Sequence, residues 1–389
     1  MPLSVLDAQD FTFPVPIAYG PGRLGEIAAQ CAQHGIDRPL IVTDRGSKDL
    51  PFIERLATLL REAGLTNAIF TEISPNPRDD EVSAGAKVFR DGDHDAVIGI
   101  GGGSGMDGAK AICLIAWSGL ALPAFNFDEP VPDLDAKAFP KLITIPTTAG
   151  TGAETESTGM VNDTARAMKY CAWHHALKPC VSILDPELTV GLPAHLTAWT
   201  GVDALTHAIE AYIVPDFHPF CDGLALEALS LIGQWLEVAV AEPSNLEARG
   251  GMLLGSCLAG IAFLKGLGHV HAISHMVGAE YDTQHGLTNA VVLPVVLRYN
   301  LAGLPEKTKR MSEAMGLGAL THDAFCNEIV GILDRLDIPK SLGELGVPME
   351  SVKRLAGKAL TDAAAGTNPR HSSVEEMQAL IETAIAGAR

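Results

Sequence analysis

The stretch 266–290, GLGHVHAISHMVGAEYDTQHGLTNA, holds four of the chain's thirteen histidines: His269, His271, His275 and His285. The residues between them are mostly apolar or small, so this is not a solvated His-rich tag. His271 and His275 are four apart, which on a helix stacks them on one face. His285 follows ten residues later, just before Gly286, where a chain reversal could bring it back beside that face. Imidazole is the commonest protein ligand for borderline divalent metals. A single such histidine is more often a satisfied core residue, but a group of them would each need partners for both ring nitrogens. A second half-site lies at 199–212, WTGVDALTHAIEAY, where Asp203 and His207 are four apart in an Ala-rich apolar run. A carboxylate and an imidazole on one helix face can hold two positions of a metal, and two imidazoles from the later stretch would complete its shell. An exposed Asp–His pair would lend only weak helix support, and the apolar setting argues against exposure.

Two glycine-rich loops point to a phosphate ligand. The apolar strand HDAVIGI (94–100) runs into Gly101-Gly102-Gly103-Ser104, and a helix pattern with Asp107, Lys110 and the stripe Ala111, Ile112, Leu114, Ile115 starts at once. Consecutive glycines let a ligand approach the backbone, and a helix N-terminus offers unpaired N–H groups and the positive end of its dipole. A tight strand-to-helix turn without a ligand is the plainer alternative. The run KLITIPTTAGTG (141–152) repeats the device with a Thr/Gly loop. Earlier, Gly20, Gly22 and Gly25 spell GxGxxG ahead of a helix expected at 23–34, and PLIVTD (39–44) reads as a buried strand ending in Asp44. That is the spacing of a dinucleotide fingerprint, but the strand before it (11–19) carries Pro14 and Pro16, which demote it to an edge strand or hairpin.

The elements that must position these residues fall into two groups. A chain of 389 residues is too long for one small core. Strand and helix signals alternate to about residue 187, which argues for a parallel α/β sheet. Helices are expected at 196–213, 222–241, 246–264, 269–281, 306–315, 322–336, 350–363 and 373–386. The boundary is therefore placed near 190, with an α/β nucleotide-binding domain over 1–190 and an all-helical metal-binding domain over 191–389. The glycine loops lie in the first and the His/Asp residues in the second, so a site is expected in the cleft between them.

Hydrophobic residues make up 47% and charged residues 19%, ordinary for a globular protein. A formal net charge of −19 disfavours nucleic acid and anionic membrane surfaces as partners. No apolar run is expected to span a bilayer, and MPLSVLDAQDFTF lacks the basic and apolar regions of an export signal. Seven dispersed cysteines without a CxxC pair point to reduced thiols and a cytoplasmic address.

With these residues in hand, the chain resembles the iron-containing (group III) alcohol dehydrogenases over nearly its whole length. The motifs are the GGGS loop with Asp107 and Lys110, PTTAGTGAE at 146–154, LDPELT at 184–189, TGVDALTHAIEAY at 200–212, GLGHVHAISH at 266–275, HGLTNAVVLP at 285–294 and TDAAAGTNPR at 361–370. The resemblance implies a dehydroquinate synthase-like architecture and a homodimer or higher homo-oligomer. It implies Asp203, His207, His271 and His285 as metal ligands, with Fe(II) expected and Zn(II) also suited to the set. It implies His275 as a non-ligand catalytic histidine near substrate and nicotinamide. For the cofactor it implies NAD phosphates on Gly101, Gly102, Gly103 and Ser104, with Asp107, Thr147, Thr148 and Thr151 alongside. Asp44 falls at the adenosine ribose and Lys169 near the cofactor, which makes the earlier GxGxxG a decoy. An acidic Asp44 would repel a 2′-phosphate and favour NAD over NADP.

The implied reaction is hydride transfer between a small alcohol or aldehyde and NAD. A hydroxyacid–oxoacid transhydrogenase, a metal-dependent lyase of the same architecture and a non-catalytic nucleotide-binding module are the competing readings. The chain departs from the family at Glu156, where a small residue or Thr is usual, and in AFLKGLG (262–268). Trp173, His174 and Ala364 fall near other cleft positions by resemblance. Glu156 at a cleft wall would favour an amino or polyol alcohol; paired with a nearby lysine or arginine, or pointing to solvent, it would select nothing.

Overall fold

The computed structural model describes residues 9–11, 15–127, 129–165, 168–318 and 321–387. The chain divides into two compact units: Met1–Thr148 with Ala153–Val190, and Ala149–Gly152 with Gly191–Arg389.

In chain order the first unit contains β1 (Gln9–Phe11), β2 (Ile17–Tyr19), α1 (Ile27–His34), β3 (Pro39–Asp44), α2 (Pro51–Glu62) and β4 (Ala68–Ile73). It continues with α3 (Asp79–Asp91), β5 (Ala96–Gly101), α4 (Gly103–Ser118), β6 (Lys141–Pro146), β7 (Thr158–Asp163), β8 (Met168–Trp173) and β9 (Val181–Leu184). A seven-stranded sheet has the order β1-β2-β9-β6-β5-β3-β4, parallel except where β1 pairs antiparallel with β2. The central strands are continuous apolar runs because both faces are covered. Their side chains alternate between two cores. Leu40, Val42, Val97 and Leu142 pack with α3 and α4, while Ile41, Ile98, Ile143 and Ile145 pack with α1 and α2. The hairpin of β7 and β8 stands as a separate two-stranded sheet, and its strands were not anticipated as such. The expected helix at 23–34 is a 3-10 turn over Arg23–Glu26 followed by α1.

The second unit holds α5 (Ala194–Ile213), α6 (Pro219–Ala241), α7 (Leu246–Ala262), α8 (His269–Tyr281) and α9 (His285–Leu301). After these come α10 (Pro305–Ala314), α11 (His322–Arg335), α12 (Val352–Ala359), α13 (Ala363–Gly366) and α14 (Val374–Ala386). Among the described residues this unit has no strand. The helix expected over 350–363 is broken: α12 ends at Ala359, and Asp362 caps α13 by accepting from Ala364 N. Helix α9, absent from the expected set, contains Pro294 in its interior. The expectation about bilayer-spanning runs also needs correction. Pro219–Ala241 and Leu246–Lys265 are each long and apolar enough to cross a membrane by length and composition. The two pack along each other in this unit, and 72% of the apolar window of the second is buried inside the fold.

Candidate functional site

Helix α5 is buried on almost every side from Thr197 to Ile213, so any polar side chain it carries must find partners inside the protein. It carries Asp203, His207 and Glu210, which at i, i+4 and i+7 share one face. Helix α8 presents His271 and His275 one turn apart. The reversal expected before His285 is made by residues 282–284, with Asp282 in the left-handed conformation at φ 51°. Gly286 then lets α9 lie against α5, because a Cβ there would stand 2.5 Å from Trp199 O and 3.1 Å from Asp203 Cβ.

The outcome is a cluster in which ligand atoms of Asp203, His207, His271 and His285 all lie within 4.8 Å of one another. Asp203, His207 and His271 are buried and His285 is partly so. His285 Nε2 is 3.6 Å from Asp203 Oδ1. Hydrogen bonds at the far side of two rings set their tautomers. His271 Nδ1 lies 2.7 Å from Glu210 Oε2, and His207 Nδ1 lies 3.2 Å from Gly150 O. Each Nδ1 donates to these oxygens, which leaves the Nε2 lone pair for a cation. Burial, with the neighbouring His207 adding to it, holds His271 well below the usual histidine range, so its ring is neutral. A carboxylate and neutral imidazoles with converging lone pairs are the donor set of a borderline divalent metal, and the residues present fit one.

Glu210 was not singled out in the sequence, although its spacing from Asp203 and His207 marks it. It is 2% exposed, and it also accepts from Gly268 N at 3.0 Å and Val270 N at 2.8 Å, the first turn of α8. Burial raises its carboxyl to about 7 against the pull of those backbone N–H groups. His275 stacks on His285 with ring centroids 5.5 Å apart, and its Nδ1 lies 3.0 Å from Asp362 Oδ2. Asp362 loses solvation, yet the facing His275 and Ala364 N hold its carboxyl below the usual range. His269, the fourth histidine of the stretch, points elsewhere, with Nε2 2.8 Å from Ser372 Oγ.

The first unit gathers most of the residues expected around the phosphates. β3, β5 and β6 are sheet neighbours, so Asp44, Gly101 and Thr147 emerge at the same edge. Gly101 has φ 143°, and a Cβ there would stand 3.0 Å from Asp44 Oδ2. Thr147 N donates to Gly101 O at 2.9 Å, and Gly102 faces Thr148. Helix α4 begins at Gly103 with no acidic residue in its own first turn, and its positive end faces the glycine loop and Asp44. Ser104 Oγ donates to Pro75 O. Asp44 also closes the next turn, accepting from Gly46 N, Ser47 N and Ser47 Oγ. Lys169 Nζ is 3.4 Å from Asn76 Oδ1. Burial raises Asp107 to about 6, opposed by Lys110 and Lys169. Thr151 belongs to the second compact unit. At the decoy GxGxxG, Gly22 N and Leu24 N donate to the Asp185 carboxylate, which takes the N–H groups a phosphate would need.

The residues expected near the substrate are largely buried. Glu156 is 3% exposed. Burial raises its carboxyl to about 7 against the pull of the Lys110 and Lys178 charges, and its Oε1 is buried with no hydrogen-bond partner, so the solvent-facing reading fails. Lys110, in turn, donates to Thr158 O at 2.8 Å. His174 is fully buried against Phe139, with ring centroids 4.6 Å apart, Trp173 packs on Phe127, and Ala364 is buried in α13.

A model of the iron-containing alcohol dehydrogenases matches residues 14–186, and that of the Fe-containing alcohol dehydrogenase family C-terminal region matches 197–385. The chain belongs to the iron-containing alcohol dehydrogenase family. It is 38% identical over 383 residues to the NAD-dependent methanol dehydrogenase of Bacillus methanolicus, covering 97% of this chain and all of that one. It is also 38% identical to the 1,3-propanediol dehydrogenase of Klebsiella pneumoniae, covering 96% and 98% of the two chains. A crystal structure of 1,3-propanediol oxidoreductase superposes with a TM-score of 0.90 at 37% identity, covering 98% of this chain and 100% of that chain. The protein is an oxidoreductase, a metal-dependent alcohol dehydrogenase with the two-part fold of that family.

Proposed function

We propose that the protein interconverts a small alcohol and its aldehyde with NAD as the hydride partner, using iron(II) held by Asp203, His207, His271 and His285. The observation that carries this reading is the convergence of those four ligand atoms within 4.8 Å, two of the rings having their tautomers set from behind. When bound, a divalent ion there supplies Lewis acidity toward an alcohol oxygen. The chain's own residues do the rest. Glu210 holds the Nδ1 proton of His271 and ties the first turn of α8 to α5. Asp362 orients His275 and shares the proton at its Nδ1, so that His275 is the group placed to handle the alcohol proton.

NAD is supported by the loop after β5, by the free start of α4, and by Asp44 beside Gly101. Gly101, Gly102, Gly103 and Ser104 would bind its phosphates, with Thr147, Thr148, Thr151, Asp107 and Lys169 as further contacts. The names of the methanol and propanediol relatives support a small neutral alcohol as substrate. We place the enzyme in the cytoplasm as a homo-oligomer. Seven dispersed cysteines without a CxxC pair support the first, and Phe217 and Phe220, 91% and 73% exposed, support the second.

The test is an anaerobic panel of alcohols and aldehydes with Fe(II), followed by the absorbance of reduced nicotinamide. Alanine at any of the four ligands should reduce bound metal, whereas His275→Ala should keep the metal and lower kcat. Should His275→Ala empty the site while His285→Ala leaves it filled, the ligand assignment is wrong.

A further inference from the structure

We infer that Asn289 is a positioning residue of the metal centre, whose amide N–H groups hold the Asp203 carboxylate and face the ligand nitrogens of His271 and His285. The inference rests on the ligand reading proposed above. Asn289 lies one turn after His285 on α9 and is fully buried. Its Nδ2 is 2.7 Å from Asp203 Oδ1, 3.2 Å from His271 Nε2 and 3.1 Å from His285 Nε2. One nitrogen therefore touches a ligand atom on each of the three helices that form the cluster. A primary amide has two N–H hydrogens, and here it faces three acceptors. The shortest contact goes to the carboxylate, the strongest acceptor of the three. With an ion bound, the Nε2 lone pairs of His271 and His285 would turn to it, and the contact that would persist is the N–H held by Asp203 Oδ1.

The other end of the amide fixes its orientation. Asn289 Oδ1 is buried and faces no donor. Turned over, the amide would set Oδ1 against the Asp203 carboxylate and two imidazole lone pairs. The N–H groups therefore face the cluster, and Asp203 is held with Oδ1 beside His285 Nε2. Without this hold the carboxylate would be free to rotate about its χ2 bond, and the site would lose the fixed direction of its only anionic ligand. Groups that orient a metal's ligands typically change affinity 10–100-fold when removed.

The experiment uses the full-length protein reconstituted with Co(II), whose visible absorption reports ligand geometry. Asn289→Leu keeps volume without N–H groups, and Asn289→Ala serves if the leucine variant does not fold. Expected is a roughly 10–100-fold weaker Co(II) affinity in chelator competition, with a changed visible spectrum and a near-wild-type Tm for the chelated protein. Wild-type affinity and spectrum in a folded Asn289 variant would overturn the inference, as would a loss confined to the Tm of the chelated protein. His271→Ala is run in parallel. Metal retained by His271→Ala overturns the ligand reading itself, whereas metal lost there but kept by the Asn289 variants overturns the Asn289 role alone.

Discussion

Removing the Glu210 carboxylate would leave three buried donors without an acceptor: His271 Nδ1–H and the backbone N–H groups of Gly268 and Val270. Each orphaned donor costs about 1–3 kcal/mol. Glu210→Ala is therefore expected to lower the Tm of the chelated protein by several degrees and to weaken metal binding by about 10–100-fold. Both are read by calorimetry and by metal content after dialysis. The Glu156 carboxyl allows a prediction of opposite sense. Its folded value, about 7, lies above the ordinary 4.5. A carboxyl raised in the folded state contributes stability that is fully present below the unfolded value and is lost as pH rises through the folded one. Glu156→Gln should thus match wild type near pH 4.5 and become the more stable protein above pH 7, by at most about 3 kcal/mol. Denaturant unfolding at pH 5 and pH 8 measures the difference. A variant less stable at pH 8 would show that Lys110 needs the charge more than burial opposes it. Kinetics on neutral and amino alcohols should move together in this variant, because the side chain is 3% exposed.

At the scale of elements, the close approach of α9 to α5 decides whether the ligands meet. Gly286→Ala would push a methyl group into Trp199 O and Asp203 Cβ. The expected cost is about 1–3 kcal/mol together with reduced metal occupancy, since displacing α9 carries His285 away from Asp203. A Gly286→Ala protein with full metal content and unchanged Tm would mean that the helices can part without consequence. Asp203 and His207 were legible from residue type and four-residue spacing, whereas His271 and His285 stand out from His269 and His275 only by resemblance to the family. Helix α9 was not, because GLTNAVVLPVVL mixes β-branched residues with Pro294 and, buried throughout, shows no polar face to mark a period. The β7–β8 hairpin was hidden for the converse reason: its strands, as long as those of the main sheet, are only partly buried and β7 lacks a continuous apolar run. Asp185 closing the loop at Gly22 and Leu24 is a contact across more than 160 positions, which no local pattern reveals. Glu210 and Asn289 each lie one turn from a proposed ligand on the same helix, a spacing visible in the sequence, but their roles depend on contacts with other helices.

For the whole molecule, metal binding and folding are linked, and the structure says where that linkage is concentrated. All four candidate ligands come from α5, α8 and α9 of the second unit. An ion that binds only the folded state adds RT ln(1 + [M]/Kd) to stability, about 4 kcal/mol when free metal is a thousandfold above Kd. Chelation should therefore lower the Tm, and the Tm should rise again with the logarithm of added free metal. The loss should be local as well as global. Hydrogen exchange in α5, α8 and α9 is expected to quicken on chelation, because the ion joins three helices otherwise held by side-chain packing and hydrogen bonds such as those of Glu210 and Asn289. Amides of β3, β5 and β6, whose hydrogen bonds lie within the sheet, should keep their protection under conditions where the fold remains intact. Equal acceleration in both units would show that the ion stabilises the chain as a single cooperative block. No change in either would remove the metal from the stability of the fold and, with it, the reason for burying Asp203, His207 and His271 together.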